Sequence, residues 1–135
     1  MSKEIEYLDL DDLMAAAEIA AGPRPKVRDW GLLESALARP KASVFGEDAY
    51  PGLNEKAAAL LHSVVTNHAL VDGNKRLGLV AVLLFYGMNG FDLTATEDER
   101  VDLILAIAES RLSEVEEIAR HLDQWVVRLR GHAAD

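Results

Sequence analysis

One short polar run groups the side chains best suited to phosphate chemistry, Asp72-Gly73-Asn74-Lys75-Arg76. An apolar stretch with helical character follows at once, so Lys75 and Arg76 would lie in the first turn of a helix. That turn carries about half a positive charge from the aligned peptide dipoles and disfavours cations. The simplest compensation is an external anion, and phosphate at a helix N-terminus is the common case. The run therefore predicts a phosphate site.

Each of the last four residues of the run suits a part of that site. Gly73 has no side chain, so backbone N–H groups can approach a phosphate closely. Asn74 can add an amide donor, Lys75 a point charge, and Arg76 a two-pronged fork to phosphate oxygens. We therefore interpret Gly73, Asn74, Lys75 and Arg76 as candidate nucleotide or phosphate ligands.

Two more side chains would complete a transfer site. Asp72 is a hard oxygen ligand suited to Mg²⁺, which commonly takes one or two carboxylates together with substrate phosphates. His68 precedes the run and is the candidate general base, because imidazole gains and loses a proton near neutral pH. Simpler interpretations stay open: Asp72 as a helix N-cap, Gly73 as a turn residue, and His68 as a favourable group at a helix C-terminus.

The rest of the chain predicts the helices that position these residues. Apolar spacing and capping signals predict six helices and almost no strand, with Asn54, Thr96 and Ser113 as N-caps and a short extended segment at residues 91–94. The helices cover about residues 8–21, 29–37, 55–69, 75–88, 96–109 and 113–129. We predict an all-α bundle around a buried central helix at residues 75–88. It forms a single domain over residues 1–135, with a core at about 5–130 and a frayed tail at 131–135.

Composition narrows the class of protein. The chain has 135 residues, no cysteine and a formal charge of −9. Disulfides and thiolate metal sites are excluded, and we expect a cytoplasmic protein. The net negative charge argues against direct nucleic-acid binding, which depends on neutralising phosphates. The longest apolar run, Leu77 to Met88, is too short to span a bilayer, and the charged N-terminus does not resemble a signal peptide, so no membrane association is expected.

The run and the residues before it form a longer pattern. His68-Ala-Leu-Val-Asp72-Gly73-Asn74-Lys75-Arg76 resembles the motif H-x-F-x-[D/N]-[A/G]-N-K-R of the Doc (death-on-curing) toxins, a branch of the Fic superfamily. The resemblance extends over about residues 5–126. Further segments that carry it are residues 31–40, 50–51, 55–59 and 89–90. One departure is Leu70, which stands where the family has phenylalanine and which we expect to pack under the loop.

The resemblance implies a Fic-like helical fold and an activity. Doc toxins are ATP-dependent protein kinases that transfer the γ-phosphate to a threonine of elongation factor Tu and so inhibit translation. By the same resemblance His68 would be the catalytic base and Asp72 the Mg²⁺ ligand. Residues 73–76 would bind phosphate. Lys75 stands where Fic enzymes that transfer AMP carry a glycine.

The resemblance also implies a partner, a cognate Phd-like antitoxin that is partly disordered and acts in trans. Two other functions remain open at this stage. One is nucleotidyl (AMP) transfer of the Fic type, against which Lys75 argues. The other is a catalytically degenerate helical binding module, against which the full set of charged motif residues argues.

Overall fold

The computed structural model describes residues 4–129, which form six α-helices and two small antiparallel sheets. The predicted helical architecture with six helices is confirmed. The tail predicted at residues 131–135 lies outside the described part. The elements are α1 (Leu10–Ala21), α2 (Trp30–Ala38), a 3-10 turn (Arg39–Lys41), β1 (Ser43–Val44), β2 (Glu47–Asp48), α3 (Leu53–Asn67), α4 (Asn74–Met88), β3 (Phe91–Leu93), α5 (Glu97–Ala108), α6 (Val115–Asp123) and β4 (Val126–Arg128).

Several helix ends follow from local chemistry alone. The carboxylate of Asp9 caps α1 by accepting from the N–H of Asp12 at 2.8 Å. Asp29 caps α2 in the same way, accepting from the N–H of Leu32 at 3.1 Å. Thr96 opens α5 with the predicted capping box. These side chains satisfy N–H groups that the helix itself leaves without partners.

The prediction that Asn54 caps α3 is wrong. The helix begins at Leu53, and its N-cap is Gly52, whose N–H donates to the Glu55 carboxylate at 3.2 Å. Asn54 lies inside the first turn, where its amide donates to Asp123 at 2.9 Å and accepts from the Tyr86 hydroxyl at 2.7 Å. Its side chain therefore bonds to partners distant in sequence and does not cap the helix.

The last predicted helix is also wrong at both ends. The N-cap of α6 is Glu114 rather than Ser113, without a side-chain hydrogen bond to the cap, and the helix stops at Asp123 instead of continuing to 129. Residues 126–128 form β4, which pairs antiparallel with β3 so that Val126 lies opposite Leu93. Val126 and Val127 are β-branched, and the exposed edge of β3 gives them a backbone partner that the helical pattern could not reveal.

The segment between the predicted helices at residues 29–37 and 55–69 contains the β1–β2 hairpin. Phe45 and Gly46 both have positive φ, 53° and 81°, as a two-residue hairpin turn of the type I′ class requires. The Phe45 side chain is fully exposed. Lys56 of α3 is buried and fastens the hairpin by donating to the Asp48 carboxylate at 3.1 Å and to the backbone carbonyl of Tyr50 at 2.6 Å.

The crossing of α3 and α4 lies at the centre of the packing, directly behind the motif loop. A Cβ at Gly78 would lie 2.6 Å from Cγ2 of Val65, so only glycine permits this approach of the two helices. One side of α4 is buried, and much of the remainder is half-buried instead of fully enclosed as the sequence predicted. The buried side of α4 comprises Leu77, Gly78, Ala81, Val82, Phe85 and Tyr86.

Within residues 4–129, none of the helices combines the length and apolar character needed to cross a bilayer.

Candidate active site

A cavity of about 600 Å³ opens where α3 ends, α4 begins and the C-terminal end of α5 passes. All six residues singled out in the sequence line it: His68, Asp72, Gly73, Asn74, Lys75 and Arg76. Val65 and Val71 contribute apolar surface from the same helix–loop–helix unit. The fold therefore brings the predicted catalytic, metal and phosphate-binding side chains to one space.

Gly73 is required at the start of α4 for two reasons. It is the N-cap, with φ 92° and ψ 11°, a left-handed conformation that glycine adopts without strain. A Cβ there would also lie 3.0 Å from Cβ of Ala21, at the end of α1. The turn thus passes close against α1.

Asn74 is bound to the loop before it. Its Oδ1 accepts from the N–H of Leu70 at 2.9 Å, and its Nδ2 donates to the Leu70 carbonyl at 3.0 Å. Leu70 is fully buried beneath the loop, as its apolar character predicted. Asn74 therefore fixes the shape of the loop. Its Nδ2 carries a second hydrogen, which could still donate to a phosphate oxygen.

Lys75 and Arg76 supply the positive charge of the site. Both side chains are exposed at the first turn of α4, where the helix leaves its N–H groups without intrahelical partners. The ion pairs found among residues 4–129 are Lys56–Asp48 and Arg111–Glu109, so neither Lys75 nor Arg76 is paired with a carboxylate there. Two unpaired cations beside helix N–H groups create a local site for an anion on a protein with a net charge of −9.

His68 lies at the opposite rim of the cavity. It is the C-cap of α3, in a left-handed conformation with φ 56° and ψ 45°, and its side chain is exposed. An imidazole at this edge can reach a hydroxyl group that enters from solvent. The arrangement places a potential proton acceptor and an anion-binding helix N-terminus on the same cavity.

The third wall of the cavity was missed by the sequence reasoning. It consists of Leu105, Ala108 and Glu109, which lie in α5 and at its end. Glu109 forms an ion pair with Arg111 at 2.9 Å. No local pattern marks these residues, because they reach the motif only through tertiary packing.

The side chains at the cavity could hold Mg²⁺ only together with ligands from a bound phosphate and water. Among residues 4–129 there is no group of three or more histidine or carboxylate side chains able to hold a metal ion. Asp72 provides one exposed carboxylate at the cavity, beside the cations that would hold phosphate. This composition matches a magnesium ion that takes its remaining ligands from phosphate oxygens and water.

A second polar cluster lies around Arg39, which the sequence favoured as a solvated surface residue and which is instead hydrogen-bonded in a partly buried place. Arg39 donates to Tyr50 Oη at 3.0 Å, to Ser63 Oγ at 3.1 Å, and to Nδ1 of His62 at 2.8 Å. Arginine has no acceptor, so Nδ1 must be unprotonated. Burial lowers the pKa of His62, the nearby Arg39 charge lowers it further, and Glu114 opposes the shift. His62 does not line the cavity and is therefore structural.

An apolar groove continues from the cavity between α4 and α5. It has a volume of about 180 Å³. It is lined by the apolar side chains of Leu79, Val101, Ile104 and Leu105 and by Lys75, Arg76 and Arg100. The Arg100 side chain is partly buried and donates from Nη2 to the Leu93 carbonyl at 2.7 Å, so Lys75 and Arg76 are the exposed cations beside the groove. The groove therefore combines an apolar surface with positive charge directly beside the candidate phosphate site.

Fold and site together define a small helical domain in which a histidine and a cationic helix N-terminus line one cavity. The profile of the Fic/DOC family matches residues 7–86, which include the whole motif. The chain is also 50% identical over 129 residues to Toxin Doc of Mycolicibacterium smegmatis, a match that covers 96% of this chain and 95% of that protein. The chain belongs to the Fic/DOC family.

Proposed function

We propose that this protein is the toxin of a toxin–antitoxin pair and that it phosphorylates a target protein with ATP. The γ-phosphate passes to a serine or threonine hydroxyl, with elongation factor Tu as the proposed target and inhibition of translation as the result. The observation that carries the proposal is the single cavity shared by His68, Asp72 and residues 73–76. The similarity to Toxin Doc over nearly the whole chain supports the toxin role.

The exposed position of His68 suits it to act as the general base in the transfer. The target hydroxyl oxygen attacks the γ-phosphorus, and its proton passes to the imidazole of His68. The bond between the γ-phosphorus and the oxygen that links it to the β-phosphate breaks, and ADP leaves with the electron pair. General base catalysis of this kind contributes about 10²–10⁴-fold to a rate.

The start of α4 is suited to stabilise the negative charge on the phosphate oxygens during the transfer. Phosphoryl transfer depends mainly on positioning and on neutralising the charge spread over the phosphate oxygens. Lys75, Arg76 and the N–H groups that follow Gly73 supply fixed positive charge at this place. Asp72 would hold Mg²⁺, which would supply further neutralisation of the phosphate charge when bound.

Lys75 favours γ-phosphate transfer over AMP transfer. It lines the cavity at the position where AMP-transferring Fic enzymes carry glycine, so its side chain takes up space that their inner phosphates would use. The nucleotide would then present its outer phosphate to His68. Nucleotidyl transfer is the alternative that the labelling experiment must separate.

The antitoxin would bind the groove between α4 and α5. A partly disordered Phd-like segment can fold onto such a surface by placing apolar side chains against Val101 and Ile104. Acidic residues on that segment would meet Lys75 and Arg76 beside the groove. Occupation of this groove would place the antitoxin beside the phosphate site.

The test compares α- and γ-labelled ATP in parallel with purified elongation factor Tu and with a bacterial lysate. We expect γ-label on elongation factor Tu, loss of that label in His68→Ala, and retention in His121→Ala. His121 is an exposed histidine on α6 that does not line the cavity. The variant Lys75→Gly tests whether the lysine excludes AMP transfer, which a gain of α-label on the target would show.

The outcomes separate the three functions. Transfer of α-label to the target would replace the kinase proposal with nucleotidyl transfer. A γ-labelled lysate protein other than elongation factor Tu would retain the kinase and reject the target. Absence of any label, together with nucleotide affinity unchanged in Asp72→Ala and Arg76→Ala, would indicate a non-catalytic binding module.

A further inference from the structure

The backbone of His68 adopts a left-handed conformation that non-glycine residues seldom adopt. A non-glycine residue at φ 56° and ψ 45° is strained, because its Cβ crowds the adjacent carbonyl oxygen. Such a conformation persists only where the surroundings hold it in place. The direction in which the imidazole leaves the main chain follows from this backbone conformation. Whatever holds the His68 backbone therefore also aims its ring.

The segment Lys26–Asp29 runs along the motif loop and bonds to it on both sides of Leu70. The N–H groups of Arg28 and Asp29 both donate to the carbonyl of Ala69, at 2.7 and 3.1 Å. The N–H of Val71 donates back to the carbonyl of Lys26 at 2.9 Å. Val27 and Leu70 form an isolated antiparallel bridge. The segment thus fixes the chain immediately after His68.

The Arg28 side chain extends this contact to His68 itself. Both Nε, at 3.1 Å, and Nη2 donate to the carbonyl oxygen of His68. The last carbonyls of a helix have no intrahelical partner, and a cation there is favoured by the helix dipole. Two donors on one carbonyl restrain the peptide plane that follows His68 and oppose its return to a relaxed conformation.

We propose that Arg28 is a positioning residue that holds His68 in its left-handed conformation and so directs the imidazole toward the cavity. The catalytic part of this inference rests on the proposed function. Arg28 is not among the residues that line the cavity, and its donors are directed at the His68 backbone. It therefore acts through His68 and does not bind the phosphate.

Kinetics of Arg28→Gln would test this role, with Arg24→Gln as the matched control. Arg24 is an exposed arginine that lies four residues before Arg28. Loss of orientation should lower kcat about 10–100-fold and leave the KM for ATP within about twofold, because the start of α4 is unchanged. Arg28→Lys, which keeps one charged donor, should recover part of kcat. A raised KM with kcat retained would make Arg28 a binding residue and overturn the proposal.

Spectroscopy provides a readout that requires no activity. The ¹³Cα and ¹³Cβ chemical shifts of His68 report its backbone conformation. We expect them to move away from left-handed values in Arg28→Gln and to stay unchanged in Arg24→Gln. Unchanged His68 shifts in Arg28→Gln would overturn the proposal. If the shifts move as expected but the wild-type protein transfers no phosphate, the positioning role stands and the proposed function fails.

Discussion

The side-chain amide of Asn74 closes a ring with the backbone of Leu70, accepting from its N–H at 2.9 Å and donating to its carbonyl at 3.0 Å. This pair joins the two ends of the motif loop. Leu70 is buried, so its backbone groups have little access to water and depend on this partner. The asparagine of the motif therefore shapes the loop in which Asp72 and Gly73 lie.

Replacing Asn74 by alanine should loosen that loop. The change leaves two backbone groups of Leu70 without partners, which should cost about 1–2 kcal/mol of unfolding free energy. Amide exchange at Leu70 should accelerate at least tenfold. The N–H of Leu77, which bonds to the Gly73 carbonyl at 2.8 Å, provides an internal control and should remain protected. Equal acceleration at both amides would indicate global unfolding instead of a local effect.

The crossing of α3 and α4 predicts opposite effects for two glycines of one helix. Alanine normally stabilises a helix by about 1 kcal/mol relative to glycine. At Gly78 the new Cβ would lie 2.6 Å from Val65, so we expect Gly78→Ala to destabilise by about 1–3 kcal/mol. Gly87 has nothing within 4 Å, so Gly87→Ala should stabilise. Urea unfolding of both variants checks this, and stabilisation by Gly78→Ala would contradict the close crossing.

Gly73 should be less replaceable than Gly46. Both have positive φ, so alanine costs about 1 kcal/mol or more of backbone strain at each. Only at Gly73 would the new Cβ also lie 3.0 Å from a neighbour, Cβ of Ala21. Gly73→Ala should therefore destabilise more than Gly46→Ala and weaken phosphate binding, as measured by thermal unfolding and calorimetry. The second change Ala21→Gly should restore part of the loss. Equal costs at the two glycines would contradict the contact with α1.

The cluster around Arg39 predicts a pH-dependent contribution to stability. Burial and the Arg39 charge lower the folded-state pKa of His62 below its ordinary value of 6.5, so below that pH the unfolded chain binds more protons than the native state. Stability from this group is present above about pH 6.5 and is lost as the pH falls through the lowered folded value. His62→Asn, which keeps an acceptor but cannot be protonated, should reduce the difference in urea midpoint between pH 7.5 and 5.5. An identical difference in both proteins would show that carboxylates alone cause it.

The sequence was sufficient where local chemistry decides the structure. Thr96 caps α5, and α4 ends at Met88, as the sequence predicted. The six candidate site residues were found together because they belong to one helix–loop–helix, whose geometry depends mainly on neighbours along the chain.

The failures share one cause, a partner distant in sequence. Asn54 bonds to Asp123 and Tyr86 in preference to capping its own helix. Val126 leaves a helical pattern to pair with Leu93. The contact between Arg28 and His68 spans 40 positions, and no periodicity or capping signal marks such a contact. Single-sequence patterns contain no information on which surfaces meet.

The cavity is built from parts of two kinds. Most of its lining comes from one continuous stretch, Val65 to Arg76, while the remaining wall comes from the C-terminal end of α5. A continuous stretch can be inherited intact, because no change elsewhere in the chain is needed to keep its residues in order. The α5 wall can vary independently, since Leu105, Ala108 and Glu109 take no part in forming the loop. Within this architecture the proposed phosphate chemistry can stay constant during evolution while the α5 wall adapts to a different substrate.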